Sequence, residues 1–383
     1  MFKLLKGGEC YTPKYIGKKD VLIIDKKIYK ISDKIDERSM PDLEIIDCSG
    51  KLICPGLIDQ HLHITGGGGE EGPESCIPEI TIRDIVNAGI TTVVGVLGFN
   101  DLFRNISTLL AKAKALEEEG LTTYIYTGSY SLPTATLTGK VETDIAFIDK
   151  VIGAGEIAIS DYRSSYPSIE ELKKLASEVK KGAMLGKKAG VLHIHLGDGK
   201  QGLEPVLQLI EESDFPINMF VPTHVNRNRK LFKQAVEHNA RGGQIDLTAG
   251  ENSGKGYSVP DAMEILINSK AKMDKVTVSS DANGSMPSPD GKSTVAGKVT
   301  DFFYDIRQAV LAKNISIETA LSTVTENVAK LLKLYPYKGA VLPGSDADIL
   351  ILNKENFSID TVIAMGTFMV KEGFVIKKGR FEK

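Results

Sequence analysis

The sequence predicts an α/β chain: a TIM-like (β/α)8 barrel over residues 56–339, with a small β unit drawn from residues 1–55 and 340–383. Three observations lead there. The middle of the chain alternates short apolar runs with longer amphipathic stretches, the pattern of parallel strands and their crossover helices. About eight such runs occur, a number that suggests closure into a barrel. Both ends instead carry short strand signals joined by turn residues, and 383 residues suit one large barrel with an appendage.

In chain order, "VLIIDKKIYKISDK" alternates apolar and polar residues across a turn at Asp25, Lys26 and Lys27, and "LEIIDCSGKLICPG" adds short strands closing on a Pro-Gly break. The barrel strands follow as "LIDQHLH", "TTVVGVLG", "TTYIYTGSY", "EIAISDY", "GVLHIHLG", "NMFVPTHV", "QIDLTAG" and "VTVSSDAN". Segments between them read as helices. "SIEELKKLASEVKKGAML" opens with Ser168 three residues before Glu171, the capping-box order, and "SIETALSTVTENVAKLLKL" is the last helix. The C-terminus returns to strands in "DADILILN" and "VIAMGTFMVKEGFVIKKG", turning at Glu372 and Gly373. Loops rich in Gly, Ser and Pro at 250–259 and 284–298 suit either lids or solvated connections. "GENSGKG" at 250–256 imitates a phosphate loop, but its glycine spacing is one residue short, so it reads as a barrel loop.

Composition narrows the function class. Apolar content of 42%, charged content of 25% and a formal charge of -3 give no electrostatic footprint for nucleic acid or an anionic membrane, which leaves small ligands. No window approaches the roughly 18–20 uninterrupted apolar residues of a membrane helix. Cys10, Cys48, Cys54 and Cys76 form no C-x-x-C pair, and the start "MFKLLKGGECY" lacks the apolar stretch of a signal peptide. Reduced thiols and a cytoplasmic location are expected.

The chemistry collects at strand ends. A strand places residues i and i+2 on one face, so His61 and His63 both point inward at the C-terminal end, where barrel active sites lie. A His-x-His pair alone equally fits two ordinary buried histidines. However, of the six histidines all but His238 fall within or at the ends of predicted strands, including His195 and His224, and Asp281 ends the last strand. Imidazoles and carboxylates converging on a barrel mouth suit a borderline divalent ion such as Zn²⁺. His193 shares a face with His195 and reads as a residue one layer deeper.

The "PGLIDQHLH" run, the later single histidines, the strand-ending Asp281 and "LPGSDADILIL" together resemble the amidohydrolase superfamily, over nearly the whole chain. The strings "DQHLHITGGGGEEGP", "TGSYSLPTATLTG", "AISDYRS", "HLGD", "PTHVNRN" and "SSDANGS" are similar to its isoaspartyl dipeptidase branch. The resemblance implies a metal-dependent barrel hydrolase with a β-sandwich built from both chain ends, acting as a homo-oligomer on isoaspartyl dipeptides. It implies two divalent ions, zinc foremost: His61 and His63 on one, His195 and His224 on the other, and Asp281 on the first beside a bridging hydroxide. Relatives commonly bridge the ions with a carboxylated lysine; here that place holds Glu156, which offers two carboxylate oxygens on a shorter arm. Either its strand lies closer to the ions, or one ion is weakened or absent, or Glu156 is an ordinary strand-start residue; the bridge is carried forward. Lys150 faces poorly for that job.

In this reading Asp281 shuttles the proton to the leaving nitrogen and Tyr130 stabilises the oxyanion. Glu70 holds the substrate ammonium, aimed by a glycine run whose Gly69 lets backbone N–H groups approach the substrate. Arg163 and Arg227 grip carboxylates through forked guanidinium groups, and Ser285 adds a hydroxyl. Phe99 stands where the family leads one to expect a small polar residue. Two other readings remain: a cyclic-amide hydrolase of the dihydroorotase or hydantoinase kind, with less use for Glu70, and a non-catalytic scaffold, which would tend to lose these ligands.

Overall fold

The computed structural model describes residues 2–38, 40, 42–251, 253–288 and 293–382, and the statements below concern those residues. The N-terminal alternation forms β1 (Phe2–Tyr11), β2 (Tyr15–Ile24), β3 (Lys27–Ser32), β4 (Leu43–Asp47) and β5 (Lys51–Pro55). The central region then runs β6 (Leu57–Leu62), α1 (Ile82–Asn87), β7 (Ile90–Gly95), α2 (Ile106–Glu118), β8 (Thr122–Thr127), α3 (Val141–Phe147), β9 (Val151–Ile159), α4 (Ile169–Gly186), β10 (Val191–Leu196), α5 (Glu204–Glu211), β11 (Phe220–Thr223), α6 (Arg229–Ala240), β12 (Ile245–Thr248), α7 (Val259–Asn268) and β13 (Val276–Ser279). Every residue of β6, β7, β9 and β10 is buried, as expected of parallel strands covered on both faces. The capping box of α4 forms as predicted: Ser168 accepts from the Glu171 amide, and Glu171 accepts from the amide of Ser168.

Strands β6 to β11 pair in parallel, in chain order, as one curled six-stranded sheet, while β12 and β13 form a separate parallel pair. A TIM-like barrel of eight strands is predicted; all eight strands form, with the hydrogen-bonded ladder running through six of them and the other two paired apart. At the seams few backbone bonds cross: the Val225 amide donates to Asp246 O at one, and the amides of Asp281 and His63 donate to His61 O and Ala282 O at the other. The ladder fails there for local reasons. β11 is four residues long and contains Pro222, which has no N–H to donate. His224 and Asp281, just past their strands, take φ of 60° and 49°, which turns the chain out of the pleat. Side chains span the gap instead: Asp246 on β12 accepts from Gln60 on β6, Thr223 on β11, and Thr277 and Ser279 on β13.

Beyond β13 come a hairpin of β14 (Ser285–Pro287) and β15 (Thr294–Ala296), then α8 (Thr300–Leu311), α9 (Ile317–Ser322) and α10 (Glu326–Leu331). Part of the predicted 284–298 loop, residues 289–292, lies outside the described residues, as does Asn252 of the "GENSGKG" stretch. The last predicted helix is broken into α9 and α10. The carbonyls of Thr323 and Val324 accept from the amides of Val278 in β13 and Ile58 in β6, and the hydroxyls of Thr323 and Thr325 bond back to Ala320 O and Leu321 O.

The C-terminal strands β16 (Ile349–Asn353), β17 (Ile359–Ala364), β18 (Thr367–Lys371) and β19 (Phe374–Val375) join those of the N-terminus in one nine-stranded sheet, ordered β19-β18-β17-β16-β5-β1-β2-β3 with β4 beside β1. Where a two-sheet sandwich was expected, a single sheet bends around its own core. β1 changes partner from β4 to β5 along its length, and Val21, Ile23 and Ile28 from one arm pack with Ile349, Ile351 and Ile363 from the other. The four cysteines are free thiols, three of them buried. No helix among the described residues is long and apolar enough to cross a membrane.

Candidate metal centre

Five strands deliver six predicted ligands to one point. His61 comes from β6 and His63 from just past it, Glu156 from within β9, His195 from β10, His224 from just past β11 and Asp281 from just past β13, and all are buried. Glu156 is no strand-start residue, since β9 begins five residues earlier at Val151. Its two oxygens face different pairs of rings. Oε1 lies 3.3 Å from His61 Nε2 and 3.4 Å from His63 Nε2, and Oε2 lies 3.1 Å from His195 Nδ1 and 3.6 Å from His224 Nε2. Asp281 Oδ1 sits 3.1 Å from His63 Nε2 and 3.3 Å from His61 Nε2. Three overlapping groups capable of holding a metal ion result: His61, His63 and Glu156; His61, His224 and Asp281; Glu156, His195 and His224.

Burial alone would neutralise these groups, and their mutual charges decide otherwise. For Glu156 burial favours the acid, but His61, His195 and His224 outweigh it and hold the carboxyl well below the usual range. Asp281 is held down in the same way by His224 and His61. Burial also opposes charge on His61 and His63, yet the two carboxylates lift both rings. His224 goes the other way, pushed down to about 3 chiefly by burial.

The buried His61 Nε2, Glu156 Oε1 and His224 Nε2 have no hydrogen-bond partner among the described residues, although they converge. Nitrogen and carboxylate donors left open at one point fit a divalent ion of the zinc type. The far edges of three rings are held: His61 Nδ1 lies 2.9 Å from His193 Nε2, His224 Nδ1 lies 2.7 Å from Thr248 Oγ1, and His195 Nε2 lies 3.0 Å from Asp161 Oδ2. Such outer contacts fix tautomer and ring orientation. His193 therefore stands behind His61, stacked on Tyr126.

The remaining predicted residues form a rim. Tyr130, three residues past β8, places its hydroxyl 2.8 Å from His195 Nδ1, and burial, then Glu156, pushes its pKa well up, so the hydroxyl keeps its proton. Arg163 Nη1 donates to Glu70 Oε1 at 3.0 Å, and the Ser285 hydroxyl donates to the same oxygen. Arg227 Nη1 lies 3.5 Å from His195 Nε2 and donates to Leu196 O. Together with Tyr162 and Tyr166, the residues Asp161, Arg163, Arg227 and Ser285 line a cavity of about 650 Å³. The Phe99 ring lies 6.0 Å from that of Tyr130, and Lys150 points away to Thr123 and Glu117.

Two details differ from expectation. The Arg163 fork is already taken, because Nε and Nη2 clamp the two oxygens of Asp161 at 3.1 and 2.9 Å. The amides of Gly66, Gly67 and Gly69 also donate within the protein, to His63 O, Asn283 O and Ser75 O. The glycines answer crowding instead: at Gly69, φ is 101° and a Cβ would stand 2.4 Å from Asn100 Nδ2. The loop is pinned by Arg104, which donates to the carbonyls of Thr65, Gly67 and Ile77. Sequence reasoning missed Arg104, Asp246 and Asp161. Asp161 sat inside the "AISDYRS" string, whereas nothing local marked the other two.

The sequence profile of the amidohydrolase family matches residues 236–369. A dihydroorotase of Aquifex aeolicus (strain VF5) is 31% identical over 189 residues, 47% of this chain; the match spans 41% of that protein, less than half its length. A β-aspartyl dipeptidase from Fervidobacterium islandicum AW-1, solved in complex with β-Asp-Leu dipeptide, is 43% identical with a TM-score of 0.93 and covers both chains completely. A dihydropyrimidinase from Brevibacillus agri NCHU1002 shares the fold at 15% identity and a TM-score of 0.70, over 99% of this chain and 97% of its own. Histidines and carboxylates gathered at the ends of parallel strands, on a backbone followed end to end by a relative at this identity, lead to one conclusion: the chain is a hydrolytic enzyme and belongs to the amidohydrolase family.

Proposed function

We propose that the chain is a metal-dependent dipeptidase that hydrolyses the β-aspartyl (isoaspartyl) peptide bond of dipeptides. The observation that carries this reading is the placement of Glu156, one oxygen toward His61 and His63 and the other toward His195 and His224, beneath a rim bearing both acidic and basic groups. We assign His61, His63 and Asp281 to one divalent ion and His195 and His224 to a second, with Glu156 shared and zinc favoured by the donor set. Bound there, such ions lower the pKa of water and polarise a carbonyl.

The chain's own residues supply the rest. Asp281 accepts the proton of the attacking water and returns it to the leaving nitrogen. Tyr130, protonated, donates to the oxygen of the scissile carbonyl as charge develops on it. Glu70 receives the substrate ammonium, while Arg163, Arg227 and Ser285 receive its carboxylates. The relative crystallised with β-Asp-Leu supports the substrate class.

The partial match to a dihydroorotase keeps a cyclic-amide hydrolase as the second reading. Rates on β-Asp-Leu, α-Asp-Leu and dihydroorotate, with bound metal counted in the same preparation, decide between them. Preference for β-Asp-Leu with metal bound is the expected result. Preference for dihydroorotate establishes the second reading, and a chain without metal or turnover sinks both.

A further inference from the structure

Asp161 touches both halves of the site. It follows Ser160, whose φ of 52° turns the chain sharply where β9 ends, and it is buried. Gly197 on the neighbouring loop leaves it no slack, since a Cβ there would stand 2.5 Å from both Asp161 Cβ and Oδ2. Oδ1 accepts from the Arg163 amide at 2.8 Å and from Arg163 Nε at 3.1 Å. Oδ2 accepts from Arg163 Nη2 at 2.9 Å and lies 3.0 Å from His195 Nε2. The opposite edge of that ring, Nδ1, lies 3.1 Å from Glu156 Oε2.

A neutral imidazole carries one ring proton. With that proton on Nε2 and donated to Asp161, the Nδ1 lone pair is left facing the site, where Glu156 Oε2 lies at 3.1 Å and the Tyr130 hydroxyl at 2.8 Å. Without the carboxylate, neither the tautomer nor the ring orientation is fixed from behind. The same carboxylate occupies the Nε and Nη2 edge of Arg163, so Nη1 is the nitrogen that faces Glu70 across the mouth.

We propose that Asp161 is a positioning residue that sets His195 and Arg163 with one carboxylate, so that the hold on the ion and the hold on the substrate's carboxylate depend on a single side chain. This rests on the function proposed above. A purely structural ion-pair partner of Arg163 would leave metal affinity untouched, and that contrast supplies the test.

Zinc affinity is measured by competition with a chromophoric chelator, and KM and kcat with β-Asp-Leu, for the parent, Asp161→Ala and Asp161→Asn. Asp161→Ala is expected to weaken zinc binding about 10- to 100-fold and to raise KM. The near-isosteric Asp161→Asn, which retains one acceptor oxygen, should recover part of either effect and guards against a folding defect in the alanine variant. Zinc affinity within about twofold of the parent in both variants overturns the proposal, whatever happens to KM. A parent chain that binds zinc but ignores β-Asp-Leu sinks the proposed substrate and leaves the zinc comparison to decide Asp161. A parent that binds no zinc overturns both.

Discussion

Asp246 lies where the parallel ladder is interrupted, and removing it should loosen the fold and the metal centre together. Its carboxylate accepts from Gln60 Nε2 at 2.7 Å, Thr223 Oγ1 at 2.8 Å, Thr277 Oγ1 at 2.6 Å and Ser279 Oγ. In Asp246→Ala, Gln60 keeps Thr277 as a partner and Thr277 keeps the Ile245 carbonyl. The buried hydroxyls of Thr223 and Ser279 lose the acceptor they share. Two stranded buried donors cost about 1–3 kcal/mol each. Part of that is offset, because burial raises the pKa of Asp246 and so marks its charge as costly to bury. A net loss of about 3 kcal/mol is expected, with about half of it in Asp246→Asn, which retains one acceptor oxygen. Gln60, Thr223 and Ser279 stand one or two residues before His61, His224 and Asp281, so zinc affinity should fall as well. Urea unfolding of the metal-free protein gives the first quantity and chelator competition the second. An Asp246→Ala variant within about 1 kcal/mol of the parent would refute the reasoning, since the seam would then hold without its side-chain bridge.

Glu156→Ala removes the one carboxylate that faces all four rings, so zinc content and turnover of β-Asp-Leu should disappear together; unchanged stoichiometry and rate would remove Glu156 from the site. Glu70→Gln should lower kcat/KM for β-Asp-Leu about 10- to 100-fold, mainly through KM, because a hydrogen bond to a charged group is worth about 1.5–3 kcal/mol. A fall in kcat at constant KM would place Glu70 elsewhere in the reaction. Asp305 on α8 accepts from the Gly250 amide, and burial pushes it up to about 6. With the folded pKa above the unfolded one, its stabilising share is complete below about pH 4 and is lost as pH rises through about 6. Asp305→Asn should therefore be more stable than the parent by up to about 3 kcal/mol at pH 8 and equal to it at pH 4; a gain independent of pH contradicts this.

The site was readable where chemistry and periodicity coincide. His61 and His63 declare a shared face by their spacing alone, and His195, His224 and Asp281 each close an apolar run, so their convergence needed only parallel strands. The seam was not readable, because it depends on the φ values of His224 and Asp281 and on the absent N–H of Pro222, none of which disturbs the apolar pattern. The split of the last helix escaped for a similar reason: Thr323 and Thr325 fit a helical pattern, while the carbonyls of Thr323 and Val324 are claimed by Val278 and Ile58 from distant strands. The rim was the least legible part. Glu70, Arg163 and Ser285 meet from loops 93 and 215 residues apart in sequence, and only the fold shows that Arg163 reaches the mouth with its fork already filled.

That filled fork bears on how such a site would choose its substrate. The acid and the base that face each other at the mouth are paired before a ligand arrives: Glu70 with Arg163 Nη1 and the Ser285 hydroxyl, and Asp161 with the rest of Arg163. A ligand bearing an ammonium and a carboxylate can divide the Glu70–Arg163 pair and satisfy each half, leaving no buried charge without a partner. A ligand with only the carboxylate would draw Arg163 away and leave the largely buried Glu70 with the Ser285 hydroxyl but no cation, a penalty of about 1.5–3 kcal/mol for the lost charged hydrogen bond. Under the proposed function, discrimination would therefore come less from what the rim offers than from what an incomplete substrate would strand, and the internal pair would act as a filter for molecules carrying both charges.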